Sequence, residues 1–338
     1  MPYATASAGS CRISRASATG ATISLTCAYV RSRAIAKTMF PESASLADPL
    51  PLQALATEQQ ETVDELCKLD CIATASAFGG LLLLPQLQAN CLRLEVAVHL
   101  AVAHCSGADL PTGAFVSDAF SRLGEGYCGD AEDPSEDVFA TTVNTLTGNY
   151  RLLHGIRESP AFGLQRLLNV LQTMPEAPPF SRIRTSVEAL LRLSDAVIER
   201  AAVTDDCLGG ETPHDALPDG VDDKLGETSA LVRFTDQELA GLQLCRNAFH
   251  DFVLIEREHL RSADACHRHS ALERRPILVD DGAIYLVLPT AVATAITRFV
   301  VERVVDLSRE EAFEHVFARD ILTAVSSTPW TAEPRVYC

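Results

Sequence analysis

The sequence predicts an α+β protein, predominantly α-helical, built as two helical domains that each carry an embedded β-hairpin. Three observations predict it. Apolar residues recur at helical spacing along much of the chain, most regularly at Val292, Ala295, Ile296, Phe299, Val300 and Val304. Two turns, Thr147-Gly148-Asn149 and Asp280-Asp281-Gly282, each separate a pair of short runs with strand character. Between them, residues 205–228 gather eight acidic residues, four glycines and two prolines, the composition of a linker.

The elements follow in chain order. Residues 1–40 contain no Asp or Glu but carry Arg12, Arg15, Arg31, Arg33 and Lys37, unlike everything after them. We read 1–55 as a flexible tail, because Arg31 and Arg33 directly after the apolar stretch do not fit signal cleavage. The first helical domain is assigned to 56–204. It opens with a short helix over 59–68, carrying Val63, Leu66 and Cys67. After breaks at Gly79-Gly80 and Pro85 comes Cys91 to His104. Leu92 to Val102 alternates there as a strand would, but the intervening alanines and the length favour a helix. A further helix spans Gly113 to Leu123, ended by Gly124. Val138 to Leu146 and Tyr150 to Leu153 form the first hairpin. Ser159-Pro160 starts a helix that stops near Pro175, and Ile183 to Ala202 completes a helical pair.

Beyond the acidic linker, the second domain is assigned to 229–325. Thr235 and Glu238 make a capping box, and Phe249, Phe252, Val253 and Leu260 line a further helical face. Pro276 to Val279 and Ala283 to Leu288 form the second hairpin. The helix from Val292 to Val304 then buries its apolar face, with Arg298, Glu302, Arg303 and Asp306 expected on its solvated side. Ser308 and Glu311 cap a last helix carrying Phe313, Val316, Phe317 and Ile321. Residues 326–338 are read as a disordered C-terminus.

Composition narrows function without naming it. The chain has 338 residues, 47% hydrophobic and 22% charged, enough for a sizeable core. Its net charge of −17 disfavours nucleic acid except through a local Arg/His patch. No apolar run approaches the roughly 20 residues of a membrane span. Eleven cysteines, an odd number without framework spacing, fit a reducing, cytoplasmic setting.

Candidate sites are few. Cys266, His267 and His269 put a thiol and two imidazoles within four residues, so zinc is the metal their chemistry admits. Cys67, Cys71, His99, His104 and Cys105 form a sparser set of the same type. Arg261, Arg268, Arg274 and Arg275 make a relative basic island fit for an anion or an acidic partner, though neighbouring carboxylates also suffice to pair them. Glu125, Asp130, Glu132, Asp133, Glu136 and Asp137 read as a solvated loop, since their spacing does not follow calcium-loop alternation. Nucleophile elbows, Walker loops and dinucleotide fingerprints do not occur. The favoured function is therefore a non-catalytic interaction or regulatory module with a protein partner, within a complex or a larger polypeptide. The alternative is a metal-dependent nucleic-acid-processing or hydrolytic enzyme using segment 257–275.

Overall fold

The computed structural model describes residues 60–84, 87, 91–123, 140–153, 161–174, 176, 178, 180–205, 217, 221–255, 271–280 and 282–309. Helix α1 (60–66) gives way to an extended Asp70, whose carboxylate accepts the Ala73 N–H at 2.8 Å and so caps α2 (Cys71–Leu81). Gly79 and Gly80 lie inside α2 rather than breaking the chain. A Cβ on Gly79 would meet the Val287 carbonyl oxygen at 2.4 Å, and one on Gly80 the Thr228 carbonyl oxygen at 2.1 Å. Glycine is present because two other backbones press against this helix.

Helix α3 (Cys91–His104) buries Leu94, Val96, Ala97, Val98, Leu100, Ala101 and Val102. Burial on nearly every side explains why its sequence has no polar face from which to read a period. Helix α4 (Gly113–Leu123) follows with the predicted bounds and packs on α3.

The first hairpin pairs β1 (Ala140–Asn144) with β2 (Asn149–Leu153), Val143 opposite Tyr150. Helices α5 (Ala161–Thr173) and α6 (Phe180–Asp205) complete this part, with β1 against α5 and β2 against α6. The linker assignment needs correction at its C-terminal end. Residues 221–228 belong to helix α7 (Val221–Leu231), which packs on α2 with Leu225 and Thr228 buried. Its acidic composition hid this, because among the described residues of 221–228 those two alone are buried.

Strand β3 (Arg233–Thr235) leads into the predicted capping box, in which Glu238 N–H donates to the Thr235 hydroxyl while the Glu238 carboxylate accepts the Thr235 N–H. The helix it opens, α8 (Asp236–Gly241), is only six residues long. Instead of a second long helix, Arg246–Phe252 forms a 3₁₀ helix that buries Phe249 and Phe252. Val253 then bridges in parallel to Ile277. A single turn, α9 (Ala271–Arg274), precedes the second hairpin, β4 (Ile277–Asp280) and β5 (Ala283–Leu286), with Gly282 at φ 86° in the turn.

Helix α10 (Val292–Arg309) buries Val292, Ala295, Ile296, Val300 and Val304 as predicted, and Phe299 meets Phe252 edge-on at 5.0 Å. Two expectations fail here. Ser308 continues α10 rather than capping a new helix. Arg298 is 4% exposed instead of solvated, because α9 covers that side and brings Glu273 to 3.7 Å.

The three strands make an antiparallel sheet in the order β3-β5-β4. Register places Arg233, Tyr285 and Leu278 side by side on one face, and Phe234 and Ile284 on the other. Leu278 and Tyr285 join a hydrophobic cluster built from α2, α3, α4 and α7. Phe234, Ile277, Ile284 and Leu286 are buried outside that cluster, and the Arg200 guanidinium of α6 lies 3.8 Å above the Phe234 ring. Both faces of β5, the central strand, are therefore packed against other elements, while Val279 of β4 stays exposed. Elements before and after 205–228 touch directly, α2 on β5, and α10 on α5 and α6. Among the described residues no helix is long and apolar enough to cross a membrane.

The tail 1–55, the acidic stretch 125–137, the cap residues Ser159 and Pro160, the last helix expected over 313–321 and the segment 326–338 lie outside the described residues.

Candidate interaction surface

Five of the seven predicted site residues, Arg261, Cys266, His267, Arg268 and His269, fall outside the described residues. Arg274 and Arg275 are both exposed at the end of α9. Arg274 lies 3.6 Å from Glu302 of α10, with both side chains about half exposed, so its partner comes from a distant helix and not from a neighbour in sequence. Beside it, Arg298 meets Glu273, and Arg303 donates to Asp251 while stacking over Phe299. Arginines at this end of the island thus join ion pairs that hold α9 and the Arg246–Phe252 turn onto α10.

The sparser thiol and imidazole set is partly assembled. Cys67, Cys71 and Cys105 come together where α2 begins and α3 ends. His99 is buried in α3, its Nδ1–H donating to the Glu95 carbonyl oxygen at 2.8 Å. Among the described residues no group of three or more His, Cys, Asp and Glu has the arrangement to hold a metal.

The first hairpin carries a different kind of site. Asn144 at the end of β1 is gripped by Gln165 of α5, which accepts the Asn144 N–H at 2.7 Å and donates to its carbonyl oxygen at 2.9 Å. Gln165 also donates to Asn169 at 2.8 Å, and Gln172 donates to the Asn144 carbonyl oxygen at 3.4 Å. Within the turn, Thr145 N–H donates to the Gly148 carbonyl oxygen at 2.8 Å. The Thr145, Thr147 and Tyr150 hydroxyls follow one another at 2.9 Å intervals. On β2, Arg151 N–H and Nε–H both donate to the Asp195 carboxylate, at 3.2 and 2.6 Å, and Ser194 donates to the Arg151 carbonyl oxygen. That pairing raises the Arg151 pKa, so the guanidinium bracing the strand stays charged.

This bracing holds Leu146 at the tip with 80% of its surface in water. A single exposed leucine is ordinary on a protein surface. The surroundings of this one are not. From Ala140 to Tyr150 and from Leu167 to Met174 there is no charged residue, in a chain where 22% of residues are charged. Depletion of charge around an apolar anchor is the compositional mark of an interface centre. A turn already ordered by its own hydrogen bonds also loses little freedom when a partner closes on it. Of the other exposed apolar side chains, Leu110 stands alone before α4. Ile255 and Val279 lie two residues beyond the Val253–Ile277 bridge, and Ile255 adjoins residues outside the described set. Sequence reasoning found this hairpin but not its surface; the missing charges were the available signal.

A protein-family model described as Upx-like, anti-phage protein Upx-like, matches residues 42–336. No curated protein and no solved structure matches the chain.

Proposed function

Because the chain belongs to the family of Upx-like anti-phage proteins, we propose that it acts in defence against phage as a non-catalytic interaction module, docking a protein partner through the tip of its first hairpin. The observation that carries this reading is Leu146, an exposed apolar side chain on a turn braced by α5 and α6, with no charged residue in the hairpin tip from Ala140 to Tyr150. Buried anchors of this kind supply a disproportionate share of binding energy. Eleven cysteines, an odd number without framework spacing, fit work in the cytoplasm.

The test is a phage challenge of cells expressing the full chain. Leu146→Asp sets a charge at the tip and is expected to abolish protection without changing the melting temperature, because the side chain touches no core. Leu110→Asp, at another exposed leucine, should protect like the wild type. Full protection by Leu146→Asp, with loss of protection in a His267→Ala/His269→Ala variant, would replace this reading with metal-dependent nucleic-acid-processing or hydrolytic chemistry at 257–275.

A further inference from the structure

The junction between α2 and α3 brings three thiols onto one backbone knot. Residues 105–109 run alongside 67–70, with Leu69 bridged in parallel to Asp109. Gly107 N–H donates to the Leu69 carbonyl oxygen at 3.1 Å, Asp109 N–H to the Lys68 carbonyl oxygen at 3.2 Å, and Asp70 N–H to the Asp109 carbonyl oxygen at 2.7 Å. The Ser106 hydroxyl donates to the Cys67 carbonyl oxygen at 3.3 Å. Cys105 is hydrogen-bonded to the Thr74 side chain, one helical turn beyond Cys71. Residues three apart on a helix share a face with Cβ atoms about 5–6 Å apart, so Cys71 and Thr74 present the same side of α2, the helix against which α3 packs before it ends at His104, next to Cys105. Both are buried, whereas Cys67 is exposed.

We propose that this knot is a thiol-modification site, at which Cys71 and Cys105 are joined in a reversible disulfide by a low-molecular-weight disulfide entering through Cys67. The Cys67 thiolate attacks one sulfur of the small disulfide and expels the other half as a thiol. Cys71 then attacks the Cys67 sulfur and expels the second half. Cys105 attacks the Cys71 sulfur and returns Cys67 to its thiol. Overall, two protein S–H bonds become one S–S bond, and the small disulfide is reduced to two thiols.

The division of labour follows from access. Burial above all, with smaller contributions from Cys71, Cys67 and Asp70 and against a Thr74 hydrogen bond that lowers it, pushes the Cys105 thiol up to about 12. Such a thiol does not react directly with a solute at neutral pH. This inference is independent of the partner-binding reading.

The test incubates the full chain with oxidised glutathione, blocks remaining thiols by alkylation, and maps disulfides by mass spectrometry of a non-reducing digest. The expected product is a Cys71–Cys105 link, cleaved by dithiothreitol, with a melting temperature higher by roughly 5 °C or more. Cys67→Ser, an exposed and structurally mild change, should form the same link at least about tenfold more slowly. Cys71→Ser should stop at glutathione-modified Cys67. A wild type that stops at glutathione-modified Cys67, a link between any other pair, or wild-type kinetics in Cys67→Ser would each overturn the proposal.

Discussion

Replacing Gly107 with alanine drives a methyl group into the backbone of Lys68. The new Cβ would stand 1.9 Å from the Lys68 carbonyl oxygen, 2.2 Å from its carbon and 2.7 Å from its Cα. Carbon and oxygen need more than about 3 Å, so the two segments must separate by over about 1 Å. Neither neighbour is the movable end of a side chain. Such a shift lengthens the 2.7, 3.1 and 3.2 Å backbone hydrogen bonds between 68–70 and 107–109 past useful range. At about 1 kcal/mol net for each bond, and about 1–3 kcal/mol for residual strain, the cost is about 4–6 kcal/mol. For a chain of this size that lowers the melting temperature by about 10 °C. Gly226 is the control. It lies in α7, and a Cβ there would meet nothing within 4 Å, so Gly226→Ala should gain about 0.5–1 kcal/mol from reduced freedom of the unfolded chain. Thermal melts and urea denaturation of both variants decide the matter. A Gly107→Ala melting temperature within about 2 °C of the wild type would refute the tight contact from which the argument starts.

Other expectations follow from the same geometry. Phe299→Ala should cost about 3–5 kcal/mol in urea denaturation, since it removes a core ring packed edge-on against Phe252. Arg298→Ala should cost about 3 kcal/mol by leaving the Glu273 carboxylate poorly compensated at low exposure, and Arg298→Met with Glu273→Leu should recover most of the loss. Partial burial alone would lift the Glu238 pKa, but hydrogen bonds from Thr235, with Arg200 beside it, hold it below the ordinary value. Its contribution is present above the unfolded-state pKa and lost as pH falls through the folded one. Thr235→Ala should therefore flatten the acid limb of a stability-against-pH curve. Cys105 works at the other end. Its contribution is complete below the unfolded thiol pKa and lost as pH rises from about 9 towards about 12. Cys105→Ala should make alkaline unfolding less steep, and an unchanged slope would contradict the burial argument.

Local signals in the sequence carried elements whose residues answer to their own neighbours. The Thr235 and Glu238 pair gave its capping box, and α4 emerged with its predicted bounds because Val116, Ala119, Phe120 and Leu123 mark one face. The second hairpin was legible from Asp281-Gly282. What could not be read depends on distant partners. Gly79-Gly80 looks like a break until the Val287 and Thr228 backbones are seen against it. Helix α7 hides in an acidic stretch because its described buried residues are few, Leu225, Thr228 and Leu231. Arg298 looks solvated on a helical wheel, and only the packing of α9 against α10 reveals otherwise. At the candidate surface, the hairpin was visible in its turn residues. The charge-free run around Leu146 was legible there, but its exposure and the bracing of its turn by Gln165 and Asp195 depend on distant helices.

The central strand with two covered faces constrains how the molecule comes apart. Strand β5 is hydrogen-bonded along both edges, by β3 and β4, and loses a packing layer whichever side opens first. Melting α2 and α3 would expose Leu278 and Tyr285, while releasing α6 would uncover Phe234. Neither half has a comfortable partly unfolded form, because each would leave this shared wall wet on one side. Opening events that do not disturb it are confined to the periphery, and its central amides should exchange with solvent only when the whole surrounding structure is lost.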